Sequence, residues 1–208
     1  MAGIGPYVFV HGGYAAVDVF ADIRSQRGRV LDQLRVSEPK RIYEVGCGGA
    51  TTLSIARQKF PNAELIGGDL SPALLRSGHF MSEMLGLNIT FRQEDGCNVA
   101  EQDNSVDVVI SYAVHHEMPP VVTEKVIREM FRILQPGGEM IINDPPPFRA
   151  VNPLQAVVLD WDTDNRAEPF FSAAASINLA EIMRDAGFVD VDEFALEKRG
   201  YPWVTRGR

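Results

Sequence analysis

Glu44-Val45-Gly46-Cys47-Gly48-Gly49-Ala50-Thr51 is the stretch on which the reading of this chain turns. It follows a short apolar run, residues 41–45 (RIYEV), and leads into residues 51–60, where Leu53, Ile55, Ala56 and Phe60 recur at helical spacing. Glycines permit a tight turn and let a ligand press against bare backbone. The start of the following helix offers free N–H groups and a positive dipole end. Open α/β sheets bind their ligands at the carboxyl ends of the strands, where such a turn lies.

Working outward, the pattern repeats. Residues 63–67 (AELIG) form a second strand stopped by Gly68 and Asp69. Ser71-Pro72 starts a helix, with a side-chain oxygen at the N-cap and a proline where its missing N–H costs nothing. That helix is expected to run to about Leu85, with Gly86 just past its end. Residues 88–93 (NITFRQ) form a third strand and 106–112 (VDVVISY) a fourth, whose near-continuous apolar run predicts burial on both faces. An amphipathic helix over 121–134 is closed by Gln135-Pro136-Gly137-Gly138, and 139–143 (EMIIN) is the fifth strand. Asn178 followed by Glu181 marks another helix start, which ends at Gly187 before a sixth strand near 188–194. The tail YPWVTRGR is assigned to a seventh strand. Upstream, residues 14–34 have helical spacing with a break expected at Gly28. Strands alternating with helices of this length give parallel β-α-β units with right-handed crossovers. The fold class is therefore α/β: a doubly wound, mostly parallel, Rossmann-like sheet with helices on both faces and a small lid.

Composition agrees with one soluble domain. The chain has 208 residues, 45% hydrophobic and 23% charged, with no repeat and no low-complexity tract. It divides into an N-terminal helical segment (1–40), a cofactor-binding core (41–144), a proline-rich lid insertion (145–176), and a last helix with C-terminal strands (177–208). Twenty-eight acids against 20 bases give a charge of −8, and no basic stripe offsets it, so no nucleic-acid partner is expected. Two cysteines are too few for a disulfide scaffold or a zinc site. No apolar run is long enough to span a membrane, and MAGIGPYVFVHGG lacks the basic leader of a signal peptide. A cytoplasmic location and no membrane partner are expected. Oligomeric state is not legible.

Two ligand classes suit the turn: dinucleotides and S-adenosylmethionine. The dinucleotide fingerprint needs a small residue at the sixth position, where this chain has Thr51. Asp69, at the end of strand two, serves ribose hydroxyls in either class. Glu44 inside strand one and Asp95 after strand three have no task in a dinucleotide site.

These residues resemble the core of the class I S-adenosylmethionine-dependent methyltransferases. Glu44-Val45-Gly46-Cys47-Gly48-Gly49-Ala50 matches the acid-x-Gly-x-Gly-x-Gly motif with alanine for its last glycine. Asp69 matches the ribose-binding acid, Asp95-Gly96 the adenine-contacting pair, 105–109 (SVDVV) the Phe-Asp-Val-Val strand, and Gln135-Pro136-Gly137-Gly138 the turn before strand five. The resemblance covers about half the chain and leaves out 1–40 and 145–176, where the family places substrate choice. It implies S-adenosyl-L-methionine as cofactor (S-adenosyl-L-homocysteine as product) and methyl transfer to a small-molecule acceptor by direct displacement at the methyl carbon. The cofactor-binding set it implies is Glu44, Gly46, Cys47, Gly48, Asp69, Leu70, Asp95, Gly96 and Tyr112. The alternatives are an NAD(P)-dependent oxidoreductase on a related sheet and a non-catalytic S-adenosylmethionine-binding protein.

After strand four, Tyr112-Ala113-Val114-His115-His116-Glu117 lies near the transferred methyl in that family. His115 or His116 is the candidate base and Glu117 its orienter. The plain alternative is that one histidine caps the loop and the other faces water. No metal site is expected, because two adjacent histidines and Glu117 do not match a recognised ligand spacing. Asp144-Pro145-Pro146-Pro147-Phe148 is read as a proline-stiffened exit from the sheet. Trp161, Asp160, Asp162, Asp164, Arg166, Phe170 and Phe171 either cage a cation or form a lid with a solvated acidic rim, the second being favoured. Tyr7, His11, Tyr14 and Arg24 either fold over the cofactor or are plain helix surface.

Overall fold

The computed structural model describes residues 18–165, 168–198, 200 and 202–208, and for 18–24, 158, 159, 162 and 164 the backbone alone. Tyr7, His11, Tyr14 and Arg166 lie outside the described residues, as does the side chain of Arg24. In chain order the elements are α1 (Asp18–Leu31), β1 (Arg41–Val45), α2 (Thr51–Lys59), β2 (Glu64–Asp69), α3 (Pro72–Leu85), β3 (Ile89–Gln93), β4 (Val106–Tyr112), α4 (Pro120–Ile133) and β5 (Leu134–Asp144). They continue with α5 (Pro153–Asn165), α6 (Phe171–Ser176), α7 (Leu179–Ala186), β6 (Asp192–Ala195) and β7 (Trp203–Gly207). Short 3-10 turns lie at His115–Glu117 and Phe148–Ala150.

The seven strands form one sheet in the order β3-β2-β1-β4-β5-β7-β6. Pairing is parallel from β3 to β5, and β7 runs antiparallel between β5 and β6. Strand order reverses between β1 and β4, so the crevice at their carboxyl ends is the switch point where ligands bind such sheets. Alternate residues of each strand feed two cores. Ile42, Val108, Ile110 and Ile141 pack with Val30, Leu53 and Ala56 on the side of α1 and α2. Tyr43, Val109, Met140 and Ile142 pack with Val126, Ile127, Met130 and Met183 on the side of α4 and α7. This two-sided burial is why β4 is apolar almost throughout.

Local signals place the helix ends. Ser71 Oγ accepts from Leu74 N–H at 3.3 Å, and Asn178 Oδ1 accepts from Glu181 N–H at 3.3 Å. Gly86 and Gly187 end α3 and α7 in the left-handed region, at φ 62° and 113°.

Three expectations need correction. The helix predicted to break at Gly28 continues to Leu31, with Asp32 N–H bonded to the Gly28 carbonyl at 2.9 Å. Its packing on α2 carries it through the glycine. Gln135-Pro136-Gly137-Gly138 is not a turn before the fifth strand but an irregularity inside β5, because Val106 pairs with Leu134 and Val108 with Glu139. A Cβ on Gly138 would lie 2.9 Å from the Asp107 carbonyl oxygen, so the close approach needs glycine. The sixth strand begins at Asp192 rather than Phe188, whose ring is buried against the core. Among the described residues, no helix is long and apolar enough to cross a membrane.

Candidate active site

The turn after β1 is held in an unusual conformation. Gly46 and Gly48 have φ of +63° and +52°, and Ala50, the residue before α2, has +61°. A Cβ on Gly46 would lie 2.6 Å from Val114 Cγ2, so the turns after β1 and β4 touch there with no room for a side chain. Asp69 ties the turn to the end of β2: its Oδ2 accepts from Gly48 N–H at 2.8 Å and its Oδ1 from Ser71 N–H at 2.7 Å. Each carboxylate oxygen keeps a lone pair for a ligand hydroxyl. Asp95 Oδ1 likewise accepts from Cys97 N–H at 2.9 Å, fixing the turn that carries Gly96 against Val45.

Around these turns lies a cleft of about 560 Å³, within the range of small-molecule sites. All nine residues of the cofactor-binding set, Glu44, Gly46, Cys47, Gly48, Asp69, Leu70, Asp95, Gly96 and Tyr112, line it. Leu70 is 68% exposed at its rim, an apolar surface free to cover a flat ring. Tyr43 and Glu94 line the floor, their side chains joined by a 2.8 Å hydrogen bond from the phenol. Cys47 is a buried free thiol whose ionisation burial suppresses.

Arg27 also lines the cleft, and the sequence reading passed over it. Its guanidinium stacks 3.8 Å above the centre of the Tyr112 ring and donates to Thr52 Oγ1 at 2.6 Å. A signal was present: Arg27 stands four residues from Ile23 and four from Leu31, an arginine in the apolar stripe of α1. Opposite, Glu44 is 1% exposed, and its Oε2 has no hydrogen-bond partner. Burial pushes its pKa up to about 7, with Arg27 pulling the other way.

This pairing tests whether S-adenosylmethionine fits. The orphaned Glu44 oxygen suits an ammonium, and Arg27 suits a carboxylate. Together they match an amino-acid end, while Asp69, Asp95 and the rim at Leu70 match a nucleoside. The residues present fit the group.

The turn after β4 rearranges the roles expected for His115, His116 and Glu117. His115 is 1% exposed and away from the cleft; its Nε2 lies 3.2 Å from Ser111 Oγ. Burial lowers its pKa, which favours the neutral form of this interior histidine, and it is not among the residues that line the cleft. His116 Nδ1 lies 2.7 Å from Asp144 Oδ1, and its Nε2 lies 3.5 Å from Glu117 Oε1. Burial works against its charge, but the Asp144 hydrogen bond and charge outweigh burial and hold its pKa above the usual value. Burial acts on Asp144 in the opposite sense and is likewise outweighed by His116, leaving its carboxyl below the usual range. The orienter of His116 is therefore Asp144, and Glu117 is the group on the cleft wall. Asp144 Oδ2 also accepts the backbone N–H groups of Val114 and His115, at 3.1 and 2.8 Å. The stiff exit after β5 thus opens on the anchor of the β4 turn.

The segment that carries α5 and α6 packs against this corner. Phe171 of α6 meets the His116 ring edge-on, with centroids 5.4 Å apart. Asp160 accepts from Ser172 Oγ at 2.7 Å, and Trp161 is turned outward, 55% exposed. Among the described residues the lid aromatics form no cage.

Comparison with known proteins finds relatives of the core that carries the cleft. A profile described as a methyltransferase domain matches residues 42–138, from β1 into β5. Demethylmenaquinone methyltransferase of Thermus thermophilus is 29% identical over 128 residues, 61% of this chain. The matched residues, from β1 into β5, are similar to a methyltransferase domain. The match spans 56% of the length of that relative. In fold, this chain is similar to a Pyrococcus horikoshii protein, with a TM-score of 0.72 at 14% identity over 98% of both chains. It is also similar to phosphoethanolamine N-methyltransferase 2 of Haemonchus contortus, solved in complex with S-adenosyl-L-methionine: TM-score 0.68, 20% identity, over 84% of this chain and 39% of that one.

Proposed function

We propose that this protein is a class I S-adenosylmethionine-dependent methyltransferase that moves the methyl group of its cofactor to a small-molecule acceptor. The observation that carries the reading is the cleft at the switch point, where an orphaned buried Glu44 oxygen and Arg27 face each other beside the glycine turn. When bound, the cofactor supplies an electrophilic methyl group on a sulfonium. Glu44 and Arg27 would hold its ammonium and carboxylate, Asp69 the ribose hydroxyls, and Asp95, Gly96 and Leu70 the adenine. Tyr112 forms the wall nearest the β4 turn. The protein's task is alignment and exclusion of water, not reactivity.

The acceptor enters past Glu117 under the lid formed by α5 and α6. Glu117, backed by His116 and Asp144, takes a proton from an acceptor that must lose one. Demethylmenaquinone and phosphoethanolamine, the compounds named for two of the proteins above, are both small molecules, and a cleft closed by a modest lid suits such acceptors. The charge of −8 speaks against a nucleic acid, and two free thiols suit the reducing cytoplasm.

Calorimetry with S-adenosylmethionine and S-adenosylhomocysteine tests the proposal. Saturable binding of both is expected, abolished when Asp69→Ala is combined with Gly48→Val. Full affinity in that double variant, or no binding by the parent protein at millimolar ligand, sinks it. Methyl transfer is then followed with labelled cofactor across phenols, carboxylates and amines. Cofactor binding without turnover of any acceptor would leave a binding protein rather than an enzyme.

A further inference from the structure

The β4 turn and the lid bring together side chains that the local sequence keeps apart. His116 and Glu117 lie on the 3-10 turn, and Glu168 stands just ahead of α6 on the lid. One ligating atom from each, an imidazole nitrogen and two carboxylate oxygens, lies within 4.8 Å of the others. A metal ion about 2.0–2.3 Å from each donor holds its ligands at such separations after small side-chain movements. The imidazole is already aimed. Asp144, 3% exposed, engages Nδ1 at 2.7 Å, and Phe171 packs against the ring, so Nε2 is left facing Glu117. A carboxylate behind a histidine is the arrangement that orients metal-bound imidazoles.

We propose that His116, Glu117 and Glu168 form a divalent-metal site between the cofactor cleft and the lid. One nitrogen and two oxygens suit Mn²⁺, Fe²⁺, Co²⁺ or Zn²⁺; Mg²⁺ and Ca²⁺ favour all-oxygen sets, and no thiolate is present for softer ions. Three protein ligands leave coordination positions open, as in sites that take a further ligand from solution. Glu117 lines the cleft, so an ion here stands where the acceptor arrives. Its open positions would be filled by oxygen donors of the acceptor, a hydroxyl or carboxylate; with an ion bound, Glu117 is a ligand and the metal, not Glu117, would favour loss of the acceptor's proton. That last step alone rests on the methyl-transfer reading. The ion would also join the lid, through Glu168, to the sheet.

The test uses the full chain, stripped with chelator and titrated with Mn²⁺ alone, followed by electron paramagnetic resonance. One saturable Mn²⁺ per chain is expected, and Co²⁺ should give a visible spectrum of mixed nitrogen and oxygen coordination. Glu168→Gln and His116→Gln should each weaken Mn²⁺ at least about tenfold, and Glu124→Gln, on an exposed face of α4, should leave it unchanged. Glu168→Gln alters only the lid, and a parental melting temperature identifies it as folded. Absence of saturable binding of Mn²⁺, Co²⁺ and Zn²⁺ up to about 1 mM, or parental affinity in Glu168→Gln, overturns the site. S-adenosylhomocysteine is titrated into the same metal-free sample. If it binds and no cation does, the metal site falls while the methyl-transfer reading stands. If cations bind and it does not, the metal site stands and that reading falls.

Discussion

Replacing Glu44 with glutamine should make this protein more stable and a worse binder at once, and the structure sets both magnitudes. Glu44 is wholly buried, and its pKa rises from 4.5 to about 7. A carboxyl raised on folding binds more protons in the native state than in the unfolded one. Its ionisation therefore costs stability progressively as pH climbs from about 4.5 through about 7, and the full cost is present above that window. At about 1.4 kcal/mol per pH unit, the gap amounts to roughly 3 kcal/mol at pH 8. Glutamine keeps the shape and removes the charge. In a domain of this size 1 kcal/mol is worth about 2–4 °C, so Glu44→Gln should melt roughly 6–12 °C above the parent at pH 8 and close to it at pH 5. On the proposed cofactor site the same change removes a charge-assisted partner for the ligand's ammonium, worth about 1.5–3 kcal/mol, so S-adenosylhomocysteine should bind roughly ten- to a hundredfold more weakly. The assay is a series of melts from pH 5 to pH 8 on both proteins, with calorimetric titrations at pH 8. A melting difference that does not grow with pH would refute the claim that a buried charge only partly compensated by Arg27 resides here. Unchanged affinity would refute its assignment to the cofactor.

Three further predictions use the same cleft. Arg27→Met should weaken S-adenosylhomocysteine about ten- to a hundredfold and leave 5′-methylthioadenosine within about twofold, because only the former carries the carboxylate that Arg27 would meet. Paired calorimetric titrations check this, and equal losses for both ligands would remove Arg27 from that role. Gly46→Ala forces a Cβ into a left-handed residue and to within 2.6 Å of Val114, so it should cost about 2–4 kcal/mol in denaturant unfolding and displace the β4 turn. Asp144→Asn exchanges a buried carboxylate that serves His116 and two backbone N–H groups for a weaker acceptor. A loss of about 3–5 kcal/mol is expected by urea titration, whereas Asp160→Asn on the exposed lid should lose less than about 1 kcal/mol.

What the sequence discloses is what it encodes locally. The turn from Glu44 to Thr51, Asp69 at the end of β2 and Asp95 just past β3 each lie at the carboxyl end of a strand, so strand assignment alone gathers them at one sheet edge. The N-caps Ser71 and Asn178 are legible for the same reason, since the cap and its partner are three residues apart. Contacts made between elements are harder to read. Asp144 meets His116 because Tyr112 and Asn143 pair across β4 and β5, which sets the residues following the two strands side by side. That pairing follows from topology, not from spacing along the chain. Arg27 is hidden similarly, its role created by the packing of α1 on α2. Gln135-Pro136-Gly137-Gly138 misleads because its composition is that of a turn, while the edge offered by Val106 extends β5 back to Leu134.

The placing of β7 has a consequence in time. Met140–Asp144 of β5 pairs with β7, and β6 joins the sheet only through β7, yet β7 follows both in the chain. During synthesis, at about 5–20 residues per second, β6 leaves the ribosome with no strand to dock on. The edge of β5 that ends in Asp144 stays unpaired for the same interval. A premature stop ahead of Trp203 would make that interval permanent. It would strip two strands from the sheet and leave the anchor of His116 on a bare, sticky edge. The order of translation therefore has the glycine turn made early, and the support of the acceptor corner completed last.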